Sequence, residues 1–276
     1  MIRLLTFCTL FLMGHCFSFA QEEALGQMMV VNDTQLYVET AGEGEPVVFI
    51  HGLSLDTRMW DEQWVAFARY FKVIRYDVRG FGQSARARDP HNPVDDLKAL
   101  LDALKITKVS LVGLSMGGNI ALRFAALYPD RVHKLVAVDA NFDGFTGYTP
   151  ELNALFGKVI GKASQRGWQG DALQTWLKSP LLRLYSADDL AIINLNLIVG
   201  DYHGDHFINT RIMPQYGTPP TADLLSKIKV STLVVVGEKD EESIRKAATQ
   251  LASQIPNVQK KIIGGAGHLS NIDKPK

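Results

Sequence analysis

The sequence predicts an α/β protein: a mostly parallel, twisted sheet with helices on both faces and a helical lid inserted late in the chain. Three observations carry this. Short apolar, strand-like runs alternate with helix-like stretches through the first half of the chain, the rhythm of a parallel sheet covered on both sides. The rhythm breaks down from about Asn141 to Ile228 and then resumes. Finally, 276 residues with 46% hydrophobic side chains suffice for one large core carrying an insertion.

The elements follow in order. Residues 28–31 read as a short strand, Asn32 and Asp33 as a turn, residues 35–40 as an alternating strand, and residues 47–50 as an apolar strand after a Gly-rich turn. A helical segment over 60–70 leads to a strand at 73–76, the turn "DVRGFGQS", a helix over 94–104 and a strand at 109–112. The apolar helix after Ser115 stops near Leu127 at "YPD", because proline disfavours helical geometry in the residue before it. A strand at 135–138 follows. Beyond the irregular stretch come the strand "TLVVVG", a helix over 244–251, a strand at 258–263 and the turn "GGAGH". The organisation expected is a core of residues 21–140 and 229–276, with 141–228 as the lid.

Residues 1–20, "MIRLLTFCTLFLMGHCFSFA", have the make-up of a cleaved secretory signal: Arg3, an apolar run from Leu4 to Met13, and small Ser18 and Ala20 before Gln21. An uncleaved anchor is the rival reading, opposed by the interruption at Gly14 and His15 and by the lack of a basic stop-transfer cluster. A lipoprotein signal acylated at Cys16 is the third, opposed by His15 where a small residue belongs. Cleavage after Ala20 places the mature protein in the periplasm or outside the cell. It also removes both cysteines, Cys8 and Cys16, and with them any disulfide framework or thiol nucleophile.

The 29 basic and 29 acidic residues cancel and form no long run of one sign, so the chain lacks the electrostatic footprint of a nucleic-acid binder. No membrane span is expected after signal cleavage, and nothing in the sequence bears on oligomeric state. A small molecule is the expected partner.

The chemistry concentrates at Gly113-Leu114-Ser115-Met116-Gly117, a G-x-S-x-G pattern between a strand and a helix. A serine raised at such a corner has a strained, positive-φ backbone, and side chains two residues either side would clash. Serine also commonly caps helices, so this pattern alone leaves two readings open. A nucleophilic serine needs a base, and the base needs an acid that holds its tautomer. Asp240 follows "TLVVVG" and His268 sits in the turn after the next strand, in the order Ser, Asp, His. Glu238 and Asp139 also lie near strand ends and compete for the role of acid. The N–H of Met116, at the helix start, and that of Leu53, after "FIHG", are the expected oxyanion donors. His51 precedes the nucleophile directly after its strand and reads as a shaper of the loop.

With "HGLSLDTRMW", "YDVRGFGQS", "GLSMGG", "TLVVVGEKD" and "GAGHLSNIDKP" in this order, the chain resembles the α/β-hydrolase fold superfamily over nearly everything after residue 28 except the lid. The resemblance implies Ser115 as nucleophile, Asp240 as acid, His268 as base, and Leu53 and Met116 as the oxyanion hole. It also implies that Asp77, Arg79, Gly80 and Gly82 are structural, forming a turn held by charge pairing and positive φ. The motifs are most similar to small esterases, enol-lactone hydrolases and aminopeptidase-like members. Relatives usually carry a further helix after the histidine, whereas eight residues follow His268 here.

The expected activity is hydrolysis of a small ester or lactone through an acyl-enzyme, with no cofactor and no metal. Amide, thioester or carbon-carbon bond cleavage on the same triad is the alternative, as is a non-catalytic ligand-binding member of the fold. Of the weaker candidates, His203, Asp205 and His206 read as solvated loop rather than a metal site. Trp168, Trp176, Tyr185, Tyr202 and Phe207 line an acyl pocket or pack the lid. Arg166, Arg183, Arg211, Asp188 and Asp189 read as surface charges.

Overall fold

The computed structural model describes residues 26–275, so the leader reading of residues 1–20 lies outside the described residues. Eight strands form one sheet in the order β1-β2-β4-β3-β5-β6-β7-β8. The hairpin of β1 (Gln27–Val31) and β2 (Thr34–Ala41) adds antiparallel at one side. All remaining pairs, among β3 (Pro46–Ile50), β4 (Lys72–Tyr76), β5 (Val109–Leu114), β6 (Val132–Val138), β7 (Ser231–Gly237) and β8 (Val258–Ile263), are parallel. The central strands are near-continuous apolar runs because both their faces are covered: Val48, Phe49, Ile50, Leu111 and Leu114 are all buried. The outer β8 carries Lys260 and Lys261 on an exposed strand, a charge placement that discourages edge-to-edge pairing.

The helices lie where the alternation puts them. They are α1 (Asp61–Phe67), α2 (Pro93–Ala103), α3 (Met116–Leu127) and, after the insertion, α8 (Glu242–Gln254). Between β6 and β7 run α4 (Pro150–Arg166), α5 (Asp171–Leu177), α6 (Asp189–Asp201) and α7 (Asp205–Ile208). A short α9 (Ser270–Asp273) follows the histidine turn.

Two features of this topology position the site. Strand β3 has β4 on one side and β5 on the other, so the connections leaving β3 and β5 diverge and open a crevice at their carboxyl ends. The register then levels the strand ends: Ile50 pairs with Gly113, Gly113 with Ala137 and Ala137 with Val234. Residues just past these positions therefore share one rim although some 180 residues of chain separate them.

The turn "DVRGFGQS" has the structural role expected, with one change of detail. Asp77 does not pair with Arg79. It accepts the N–H groups of Thr57 (2.8 Å) and Gln83 (2.7 Å), while Arg79 pairs with Asp96 (2.7 Å) and Asp33 (2.6 Å). A Cβ on Gly82, at φ +48°, would overlap the Asp77 carboxylate. Burial, reinforced by the charge of Asp56, pushes the Asp77 carboxyl up to about 7.

Candidate active site

Strand β5 ends at Leu114 and α3 begins at Met116, leaving Ser115 alone in the corner at φ +53° and ψ −113°. The corner closes only because its neighbours lack side chains. A Cβ on Gly113 would stand 2.2 Å from the carbonyl oxygen of Gly117, and one on Gly117 would stand 2.2 Å from that of Ile50. The Ser115 side chain makes no capping hydrogen bond to α3, so the helix-cap reading of this serine is excluded. Ser115 lines a cavity of about 270 Å³ whose wall also includes Leu53, Met116 and His268.

His268 is buried, and its Nδ1 lies 3.0 and 3.1 Å from the two carboxylate oxygens of Asp240, itself buried. Burial alone would lower the pKa of this imidazole. The opposite charge and hydrogen bond of Asp240 outweigh it, and the net shift is upward. With Nδ1–H donated to Asp240, Nε2 is the free acceptor on the ring. Ser115 and His268 share the cavity wall without a hydrogen bond between their side chains, and contacts of this kind commonly close in the complex with substrate. The two donors expected for an oxyanion are also on the cavity wall: Met116 N–H, first in α3, has no intrahelical partner, and Leu53 follows β3 at the facing rim.

The competing acids are placed elsewhere. Glu238 accepts from Gly265 N–H (2.8 Å) at the surface. Asp139, fully buried just past β6 at φ +45°, accepts from Gly237 N–H (2.8 Å) and from the N–H (3.1 Å) and Oγ (2.6 Å) of Ser270. It thereby ties the end of β7, which leads into Asp240, to the residue two past His268. Burial, then the charge of Asp240, pushes the Asp139 carboxyl up to about 8. Its folded pKa thus lies above the unfolded value near 3.9. Stability contributed by this group is complete below that unfolded value and is lost as pH rises toward 8. Relative to Asp139→Asn, wild-type unfolding free energy from urea titrations is expected to fall with pH between 4 and 8, by at most ~1.4 kcal/mol per pH unit. Parallel pH profiles for the two proteins would refute this.

His51 is fully buried, with Nδ1 2.8 Å from the carbonyl oxygen of Gly52 and Nε2 accepting from Val78 N–H at 2.9 Å. Burial lowers it to about 4, opposed by its bond to Gly52. Both ring nitrogens are thus committed to holding the loop, as the sequence reading has it.

The segment between β6 and β7 closes the cavity with Leu152, Phe156, Trp176, Leu181 and Leu182. Trp176 is anchored by donating Nε1–H to Ser54 Oγ at 2.7 Å, both buried. Of the aromatics considered from sequence, Trp176 lines the cavity. Trp168 stacks on Phe207 (5.1 Å) and meets Tyr202 edge-on (5.3 Å) behind it. Tyr185 sits under Arg183 and Lys239. Phe156 is a lining aromatic that the sequence reading missed, as it lies inside the α4 pattern with nothing to set it apart.

Asp205 pairs with Arg86, and His206 stacks on Phe81 at 4.6 Å. Contrary to the solvated-loop reading, both are buried: α7 docks against the Asp77 turn rather than lying in water. Arg166 pairs with Asp171, and Asp188 caps α6. Sequence reasoning also missed the polar cavity residues Asn119, Asn141, Asp143, Tyr148 and Tyr216. The position of Asn141 and Asp143 just past β6 was the available signal.

Comparison with known proteins bears on this geometry. The alpha/beta hydrolase fold family matches residues 45–275. A 2-hydroxy-6-oxo-2,4-heptadienoate hydrolase of Pseudomonas putida is 33% identical over 145 residues, 46% of this chain and 52% of that one. A thermophilic esterase from Thermogutta terrifontis superposes with a TM-score of 0.75 at 26% identity, covering 91% of this chain and 94% of the other. The enol-lactonase from Burkholderia xenovorans LB400 has the same fold, with a TM-score of 0.76 at 24% identity over 90% of this chain and 95% of that one. Among the described residues, no helix is long and apolar enough to cross a membrane.

Proposed function

The chain belongs to the alpha/beta hydrolase fold family, and on that premise we propose that it is a serine hydrolase cleaving a small ester or lactone through an acyl-enzyme. One observation carries the proposal: an uncapped Ser115 at positive φ shares a cavity with His268, whose Nδ1 is bonded to Asp240. Ser115 Oγ attacks the carbonyl carbon while His268 Nε2 takes its proton. The developing oxyanion is met by the N–H groups of Leu53 and Met116 and by the positive end of α3. The imidazolium, stabilised by Asp240, then returns the proton to the leaving alkoxide. Water attacks the acyl-enzyme by the same steps in reverse order of roles and restores Ser115.

The cavity supports a small substrate. Its volume, about 270 Å³, lies just below the usual range for small-molecule sites, and most of its wall is apolar. The esterase name of the Thermogutta relative supports the ester bond.

The deciding experiment is active-site labelling with a fluorophosphonate, together with turnover across short-chain aryl esters and lactones. Stoichiometric modification at Ser115 and hydrolysis of at least one class are expected. No label and no turnover in both panels would end the proposal.

The proposal also places the mature enzyme in the periplasm or outside the cell, on the leader-like make-up of residues 1–20. Amino-terminal sequencing of the protein from the exported fraction is expected to begin at Gln21. A product retaining residues 1–20 would overturn that placement.

A further inference from the structure

Apart from Ser115 and His268, the cavity wall is apolar except on one side. There, Asn119, Asn141, Asp143, Tyr148 and Tyr216 come together. Asn119 lies one helical turn beyond the nucleophile: its backbone N–H donates to the carbonyl oxygen of Ser115 (3.1 Å), and its Oδ1 accepts from Asp143 N–H (3.1 Å). One turn of helix is 5.4 Å, so the patch begins about that far from the reacting serine.

Hydrogen bonding within the patch leaves acceptors over. Tyr216 and Tyr148 line the cavity with Asn119 and Asn141. Asn141 Oδ1 is buried without a partner. The Asp143 carboxylate receives a single long bond from Thr221 N–H, at 3.4 Å, and among the described residues it has no ion-pair partner. Arg123, whose charge is felt at Tyr216, donates Nη1 to the carbonyl oxygen of Pro219 (2.9 Å) and forms no pair with it. Both phenols are raised, by burial first and also by the negative charge of Asp143, which lines the same cavity. A half-buried carboxylate and an orphaned amide oxygen are costly to leave unpaired in an apolar cavity. A ligand bearing donors and a positive charge satisfies both.

We propose that Asp143 and Asn141 form a recognition subsite for an ammonium group that the substrate carries on a short arm beside the scissile carbonyl. This rests on the hydrolase reading above and narrows it: the preferred substrates are small esters with a protonated amine, and anionic esters are disfavoured by the same carboxylate.

The test compares charged esters with neutral isosteres at pH 7: 4-nitrophenyl β-alaninate against 4-nitrophenyl butanoate, and 3-(dimethylamino)propyl acetate against 4-methylpentyl acetate. The first pair carries the amine on the acyl arm and the second on the alcohol arm. In at least one pair, kcat/KM for the charged ester is expected to exceed that of its isostere tenfold or more. In Asp143→Asn that ratio is expected to fall to near one, a readout independent of the variant's overall activity or yield. A wild-type ratio near one in both pairs overturns the subsite, as does an unchanged preference in the variant. Turnover of none of the four esters overturns the subsite, while the hydrolase reading falls only if Ser115 labelling and the aryl ester and lactone panels fail as well.

Discussion

Ser115→Ala is expected to lower kcat for aryl ester hydrolysis by about 10⁴- to 10⁶-fold and to abolish fluorophosphonate labelling, with little change in thermal stability. The size of the loss follows from removing the one atom that, on the proposed mechanism, forms the acyl-enzyme. Any residual rate comes from the oxyanion donors and from binding. The small effect on stability follows from the geometry. The Ser115 hydroxyl caps nothing in α3, and an alanine at φ +53° meets the same backbone strain the serine already bears. A merely structural serine predicts the reverse pattern, loss of stability with turnover retained. Measuring kcat, labelling and melting temperature on one preparation distinguishes the two.

Asp240→Asn is expected to cost about 10⁴-fold in kcat, against less than about tenfold for Asp139→Asn. The physical reason lies in Glu241, whose N–H donates to Asp240 Oδ1 at 2.6 Å. An asparagine keeps that bond by presenting its carbonyl oxygen to Glu241, which turns its NH₂ toward His268 Nδ1. The imidazole then carries its proton on Nε2 and has no lone pair for Ser115. At position 139 the acceptor for Gly237 N–H survives in the amide and the new NH₂ donates to Ser270 Oγ, while Ser270 N–H, which shares that position, loses its acceptor. The tie between the end of β7 and the histidine turn is thus weakened but not broken. Equal losses in the two variants, read as kcat with KM determined separately, would contradict the assignment of Asp240.

How much of this was legible in sequence depends on how far each feature reaches along the chain. The strands and helices of the core follow from local periodicity, and their limits differ from expectation by only a few residues. The strand expected at 135–138 starts at Val132, for example, because pairing with β5 extends it. The elbow at Ser115 is equally local, since its glycines, its strand and its helix lie within a dozen residues.

Other features had no local signal. Asp139, Glu238 and Asp240 all sit near strand ends, and sequence favours Asp240 only by its place beyond the glycine. Asn141 and Asp143 read from sequence as the first residues of an irregular stretch.

The sequence by itself determined the α/β alternation, the strained serine corner and the order of serine, acid and histidine, because each is written in short-range backbone preference or in chain order. The tertiary structure alone decided which carboxylate meets His268, that Asp139 is spent tying β7 to the histidine turn, and that the cavity has one polar side. The physical reason is the register of the parallel strands. It levels Ile50, Gly113, Ala137 and Val234, and so sets burial and hydrogen-bond partners between residues that the chain keeps far apart.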